Sequence, residues 1–500
     1  MQKYDLIIIG GGAAAFATAI KANELSAKGG SASGGKAKTA IINSGLPVGG
    51  TCVNVGCVPS KLLVHAGEIL HMARHHGVPG IELEVKGFDF SKVIEDELKI
   101  VKGFRQEKYE KVLANLEHVT LIEGQAKFVS ENEVEVSPVR SKTPEASADA
   151  LAHRTTNGVN GEKLTADKFV ITTGSTANVP PIKGIQEVGY ITHIEALGIK
   201  EQPKELVVIG AGPVGLELAQ VYARFGTKVT ILQSRERIFP HGEAELIDKL
   251  AQTLEKEGIT IKTNVEVQSA RSENGKKVLS YTVNGEPEEI IVDEILLAAG
   301  KTPNTQDLKL ELPGVEVNDR KAVVVNNHFQ TNIPYIYAGG DVTNLPLRLE
   351  TTAGHEGTLI AENILEGKKN RIDYSTVPYA IFTDPQYASV GLTEDAQMKE
   401  RGVCACRTVP FEVIPKAGIT RRTEGLIKMG IDPKTKEIVG VHILAPNASD
   451  LIAQAMVLIK NKNTIDDVLN SEPVFPTMSE AIKYVALSFT KDISQLSCCI

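Results

Sequence analysis

The feature that most restricts the fold is a glycine turn that occurs twice, each time between an apolar strand and a helix. DLIIIG (Asp5–Gly10) runs into Gly12 and Ala15 and then an alanine-rich helix. ELVVIG (Glu205–Gly210) runs into Gly212 and Gly215 and a helix to about Phe225. A strand, a tight turn without side chains and a helix N-terminus together present backbone N–H groups to a pyrophosphate. One such motif also serves merely to pack a helix on a sheet. Two of them, about 200 residues apart and each behind a strand, point to two dinucleotide-binding units.

A chain of 500 residues exceeds one ordinary core and suggests roughly three domains. From about Tyr374 the texture changes to strands such as GLIKMGID and GVHILAP followed by helices, which predicts a third, α+β domain ending in a helix over Ser479–Ser488. The balance of 54 basic against 62 acidic residues gives a net charge of −8 with no basic stripe, which argues against a nucleic-acid partner. No apolar run approaches the roughly 18 residues of a membrane span, so no membrane association and a cytoplasmic location are expected. Lys28–Ala37 reads as a flexible surface loop, and Ser137–Leu164 as a mobile insertion.

The 6 cysteines are too sparse for a secreted disulfide scaffold, but they fall in close pairs: Cys52 with Cys57, Cys404 with Cys406, and Cys498 with Cys499. GGTCVNVGCVPSK (Gly49–Lys61) is the most specific of these segments. Its cysteines, placed where a strand gives way to a helix, can close a small disulfide. A helix N-terminus lowers a thiol's pKa, so one of them is expected to persist as thiolate. Cys404 and Cys406 alternate on one face of an expected strand and read as structural, with extra metal scavenging as the lesser alternative.

With these motifs the chain resembles the pyridine-nucleotide disulfide oxidoreductases over essentially its whole length. The likeness extends to VITTGS (Val170–Ser175), LLAAGKTPN (Leu296–Asn304) and TNIPYIYAGGD (Thr331–Asp341). It implies an α/β fold with two Rossmann-like domains, for FAD (1–183 and 301–373) and NAD(P) (184–300), and a C-terminal α+β dimerisation domain (374–500). It places FAD on Gly10, Gly12, Ala15, Asn43, Gly50, Thr51, Lys61, Thr173, Gly174, Ser175, Gly340 and Asp341, with Asp341 at the ribityl chain. The nicotinamide nucleotide falls on Gly210, Gly212, Gly215, Gln233, Arg235, Arg237 and Gly300. Cys57 becomes the thiol against the flavin and Cys52 the one that meets substrate, with Lys61 at the flavin and Glu217 as its partner. Asn43 stands where the family carries an acid, so weaker ribose binding is expected, and Lys301 stands where it carries arginine. Gln233, followed by Arg235 and Arg237 rather than by an acid, favours NADPH.

Reductases of organic disulfides in this family use a C-terminal histidine to protonate the leaving thiolate. In PVFPTMSE (Pro473–Glu480) that position is Phe475, which carries no proton. The chain ends in LSCCI, and this tail resembles that of mercuric reductases, where the vicinal pair of one subunit delivers Hg(II) to the active site of the other. The resemblance implies a homodimer with a shared active site that takes Hg(II) as a thiol complex and reduces it to Hg(0) with FAD and NADPH. Metal ligands would be Cys52, Cys57, Cys498 and Cys499, and Tyr190 matches a second active-site tyrosine more loosely. A reductase of an uncommon disulfide, a mercury-sequestering flavoprotein without turnover and a non-enzymatic scaffold stay open as alternatives.

Overall fold

A computed structural model describes residues 2–27, 37–138, 155–157, 161–495 and 497. These form two compact units, one of Met1–Pro59, Glu95–Asn178 and Lys301–Tyr374, the other of Ser60–Ile94, Val179–Gly300 and Ser375–Ile500. Among the described residues no helix is long and apolar enough to cross a membrane.

The first unit is built on an eight-stranded sheet. Its centre is parallel. Gln2–Ile9 lies between Thr39–Asn43 and Glu162–Ile171, so that Ile9 faces Ile42 on one side and Ile171 on the other. Val119–Glu123 extends this centre beyond Thr39–Asn43, and Ile336–Ala338 joins along Glu162–Ile171. The run Leu6–Ile9 is apolar without alternation because both faces of a parallel sheet are covered. Ile7 and Ile9 pack into one core with Phe128 and Phe169. Leu6 and Ile8 pack into the other, with Ala15, Phe16, Ala19 and Ala22 of the helix Ala13–Ala27.

That helix lies against a second one, Glu350–Leu365. The two approach so closely that a Cβ on Gly357 would come within 2.2 Å of the Ala14 carbonyl oxygen. The Thr18 hydroxyl donates to the Gly357 carbonyl at 3.1 Å. This contact fixes where the first residue of the second helix, Glu350, stands.

The expected loop over Lys28–Ala37 falls almost wholly outside the described residues. The expected insertion over Ser137–Leu164 is too wide. Ser137 ends the strand Glu133–Ser137, Thr155–Asn157 pairs with Val119–Glu123, and Glu162–Leu164 opens the long strand to Ile171. Polar residues at a sheet margin hide strands from a composition-based reading, because only one face of such a strand is apolar.

The second unit contains a four-stranded parallel sheet, ordered Thr260–Lys262, Lys228–Leu232, Glu205–Ile209 and Glu294–Leu297. It also contains a three-stranded antiparallel meander, Val265–Val292, and a five-stranded antiparallel sheet. The order in the latter is Tyr379–Ile381, Gln386–Gly391, Ile438–Ala445, Leu426–Ile431 and Ala405–Pro410, which leaves Ala405–Pro410 at an edge. The expected terminal helix is found as Glu480–Leu487.

In the helix Phe90–Arg105 one buried residue breaks the apolar pattern. Glu97 is 3% exposed, and its Oε2 has no hydrogen-bond partner among the described residues. Burial raises its carboxyl to about 7 from an ordinary 4.5. Between those values the folded chain holds a proton that the unfolded chain has lost, so stability falls as pH rises through that window. Glu97→Gln is therefore expected to match the parent at pH 4 and to exceed it above pH 7 by roughly 3 kcal/mol. Thermal midpoints of both proteins across pH 4–8 check this, and parallel curves would contradict it.

Candidate active site

The two thiols sit on consecutive helices, Cys52 within Gly50–Val55 and Cys57 as the first residue of Cys57–His75. The bend between them needs glycine, since a Cβ on Gly56 would lie 2.9 Å from the Thr51 carbonyl oxygen. Asn54 holds the bend from within. Its amide donates to the carbonyls of Pro47, Val48 and Gly50 at 2.8–3.2 Å, and its oxygen accepts from Arg105 at 3.1 Å. The two cysteines are not joined as a disulfide, and Cys52 is half-buried and Cys57 exposed.

Sequence reasoning missed two neighbours of this pair. Cys57 Sγ lies 3.9 Å from Glu350 Oε2, and the Tyr109 hydroxyl donates to Glu350 Oε1 at 3.4 Å. The two sulfurs and a Glu350 oxygen all fall within 4.8 Å of one another. Tyr109 lies in a π-helical turn, Gln106–Glu110, its ring packed edge-on at 5.0 Å against Phe16. Burial first, then the Glu350 charge, raises its phenol. No motif announces Glu350. The available signal was only an acid opening a helix, a common and ordinary preference.

The pKa of Cys52 is raised, so it is not the thiol of the pair that persists as thiolate. Its hydrogen bond with Cys57 holds its proton most strongly, burial adds to this, and the charges of Cys57 and Glu350 act in the same direction. Cys57 stands at the N-terminus of a long helix, where the peptide dipole favours negative charge. A pair sharing one proton there keeps it on Cys52.

The first glycine turn meets the dithiol segment directly. Gly49 N donates to the Gly11 carbonyl at 2.8 Å, and a Cβ on Gly50, at φ +62°, would lie 2.7 Å from Gly12 Cα. A Cβ on Gly12 would meet only Gly50 Cα, at 3.9 Å, so the turn is open in front as a pyrophosphate requires. Ala15 is fully buried in the helix behind it. Across the sheet end, the Ser175 hydroxyl donates to Asp341 Oδ2 at 2.7 Å, and Thr173 is tied to Asn304 through two hydrogen bonds. Gly174 has open space where a Cβ would be, and Gly340 N donates to Glu356 at 2.6 Å. Thr51 is half-buried beside Cys52. These groups fit FAD. Lys301 faces Asp341 and Cys57, and burial lowers its pKa while both charges oppose that shift.

Beside Asn43, which the family resemblance implies at the flavin ribose, stands a carboxylate. Asn43 and Glu123 are partners in adjacent strands, and the Asn43 amide donates to Glu123 Oε2 at 3.2 Å.

In the second unit Lys61 Nζ donates to Glu217 Oε2 at 2.6 Å, with the Glu217 side chain 7% exposed, while Glu217 Oε1 accepts from Phe382 N at 2.9 Å. Lys61 also lies 4.3 Å from the centre of the Phe382 ring. The second glycine turn needs Gly215, whose Cβ would lie 2.1 Å from the Gly210 carbonyl oxygen, while Gly212 and Gly300 leave open space. Gln233 is buried and turned to its own loop, its amide donating to the Arg237 carbonyl at 3.1 Å. Arg237 is engaged by both oxygens of Asp248 at 2.6 and 3.2 Å, whereas exposed Arg235 forms no ion pair among the described residues. Tyr190 packs against a core of Ile182, Leu279 and Ile295. Phe475 is 48% exposed. Cys498 and Cys499 lie outside the described residues.

The pattern of the family described as pyridine nucleotide-disulphide oxidoreductase matches residues 4–357, and that of its dimerisation domain residues 377–486. A mercuric reductase of Lysinibacillus sphaericus is 37% identical, covering 100% of this chain and 85% of its own. The mitochondrial dihydrolipoyl dehydrogenase of Pisum sativum is 34% identical over 97% of this chain and 91% of its own. Among solved structures, the Cu(II) complex of the HOCl-induced flavoprotein disulfide reductase RclA from Escherichia coli superposes with a TM-score of 0.82 at 27% identity, covering 98% of this chain and 100% of that one.

Glu350→Gln removes a negative charge beside the thiols while keeping the side chain's size. The pH midpoint for alkylation of Cys52 in the reduced protein is expected to fall by about one unit. Peptide mass spectrometry after iodoacetamide pulses at graded pH measures it, and an unmoved midpoint would remove Glu350 from the site's electrostatics.

Proposed function

The chain belongs to the pyridine nucleotide-disulphide oxidoreductase family, as a flavoprotein with the redox-active pair Cys52 and Cys57, and on that premise we propose that it is an NADPH-dependent mercuric reductase. Its dimerisation domain implies a homodimer. The observation that carries the reading is the donor set: two sulfurs and a carboxylate oxygen within 4.8 Å of one another. Two sulfurs select a thiophilic cation. With Phe475 at the family's acid position, cleavage of an organic disulfide has no proton donor there.

Bound FAD would supply two-electron transfer from the nicotinamide to the dithiol site. Cys498 and Cys499 of the partner subunit's tail exchange Hg(II) out of its thiol complex and pass it to Cys52 and Cys57. Each transfer makes two sulfur–mercury bonds and breaks two: at the tail two protons pass to the departing thiols, and at the inner pair the one shared proton passes to one departing sulfur while the other leaves as thiolate. Cys52, which holds its proton, gives it up only as the cation arrives, and Glu350 stands where a displaced proton can be taken. Lys61, paired with Glu217, contributes positive charge. Arg235 is the guanidinium left available for a 2′-phosphate, since Arg237 is held by Asp248. The net balance is NADPH and Hg(II) giving NADP⁺, H⁺ and Hg(0).

The related Escherichia coli structure is a Cu(II) complex, which favours a second reading in which copper is the cation. One anaerobic assay separates these: NADPH oxidation with Hg(II) as a thiol complex, with Cu(II), with glutathione disulfide and with lipoamide, volatile mercury being trapped. Hg(II)-dependent oxidation with stoichiometric Hg(0) is expected, at least about 100-fold slower in Cys57→Ser, slower with NADH, and impaired for bulky thiol complexes when Cys498 and Cys499 are removed. Faster turnover of Cu(II) or of either disulfide, or mercury bound without release, would reject the proposal.

A further inference from the structure

A second pair of sulfurs lies at the edge of the five-stranded sheet, in the other unit. Cys404 immediately precedes the edge strand Ala405–Pro410 and Cys406 is its second residue, so alternation directs both side chains to one face. The structure joins them as a disulfide. That face meets the helix Glu394–Arg401, whose first residue brings a carboxylate oxygen within 4.8 Å of both sulfurs, while Gln397 Oε1 lies 3.9 Å from Cys406 Sγ. Both cysteines are half-buried.

We propose that Cys404, Cys406 and Glu394 form a second site for a thiophilic cation, closed while the sulfurs are joined and opened when they are reduced. Reduction by a thiol or phosphine puts two electrons and two protons into the S–S bond and yields two thiols. A soft cation then displaces both protons and makes two sulfur–metal bonds, with the Glu394 carboxylate as third donor. A donor set of two sulfurs and one oxygen suits a soft cation such as Cd(II), Hg(II) or Cu(I). It is unsuited to Mg(II) or Ca(II), which take shells of oxygen.

The charges around the site agree with a cationic guest. Lys428 is the one buried cation there among the described residues, and it faces three carboxylates, those of Glu243 at 2.8 Å, Glu394 at 2.5 Å and Glu245 at 3.6 Å. Burial lowers the pKa of neighbouring His442, which keeps it from adding a second positive charge. The carboxylates therefore outnumber the cation. Lys428 donates to Glu394 Oε2 and orients the group.

The test uses full-length, flavin-loaded protein and the double variant Cys404→Ser/Cys406→Ser. Both are reduced with a water-soluble phosphine, freed of it without air, and titrated with Cd(II). The expected result is one more Cd(II) retained per parent chain, with a matching gain in the ultraviolet sulfur-to-cadmium band, and no difference when reduction is omitted. Equal retention after reduction would overturn the proposal and leave a structural disulfide. Glu394→Gln, which keeps both sulfurs, is expected to weaken retention about tenfold, and unchanged affinity would strike the carboxylate from the set. Should the double variant fail to fold, iodoacetamide labelling of the reduced parent decides instead. Protection of Cys404 and Cys406 by Cd(II) supports the site, and equal labelling refutes it.

Discussion

The close approach of two backbones, at Gly12 and Gly50, is the constraint on which the rest of the first unit depends. A Cβ on Gly50 would lie 2.7 Å from Gly12 Cα, and the Gly49 amide is hydrogen-bonded to the Gly11 carbonyl. The segment carrying the dithiol is thereby tied to the turn that faces a pyrophosphate. Gly50 cannot acquire a side chain without parting the two. Proximity of the sulfurs to a dinucleotide is built in as main-chain geometry, which costs no side-chain entropy on binding and needs no rearrangement.

Around that contact, charge is placed on elements adjacent to those that a linear reading indicates. Asn43 ends its strand without charge, and Glu123 at the same level of the next strand brings the carboxylate. Glu350 reaches the sulfurs from a helix whose position is set by Gly357 against Ala14, far along the chain from the cysteine motif. Lys301 faces both Asp341 and Cys57. Each of these groups is ordinary in sequence and acquires its role from packing alone.

This explains which parts of the molecule were legible in advance. The strands at Gln2–Ile9 and Glu205–Ile209, the glycine turns and the terminal helix were readable because local periodicity and motif spacing carry them, whereas the Lys61–Glu217 pair was implied only by the family resemblance. Glu350 and Tyr109 were not, since nothing local distinguishes a helix-opening acid or a tyrosine in a charged helix from a solvated one. The strand Thr155–Asn157 was lost in a polar segment for the same reason. The helix N-terminus did not say in advance which thiol keeps its proton; a neighbouring sulfur and burial keep it on Cys52.

Proton traffic gives the strongest link between this arrangement and a metal substrate. Cleaving an organic disulfide makes a thiolate that must receive a proton, and the position where the family resemblance implies an acid holds Phe475. Capturing a thiophilic cation runs the other way, since protons leave the thiols as sulfur–metal bonds form. Such a site needs an acceptor, and Glu350 is the carboxylate in contact with Cys57 and within reach of Cys52. The same carboxylate, with the Cys57 sulfur and burial, keeps the Cys52 proton in place until a cation displaces it. A dithiol so arranged is guarded against weak electrophiles yet open to an ion whose bonds to sulfur offset the lost proton.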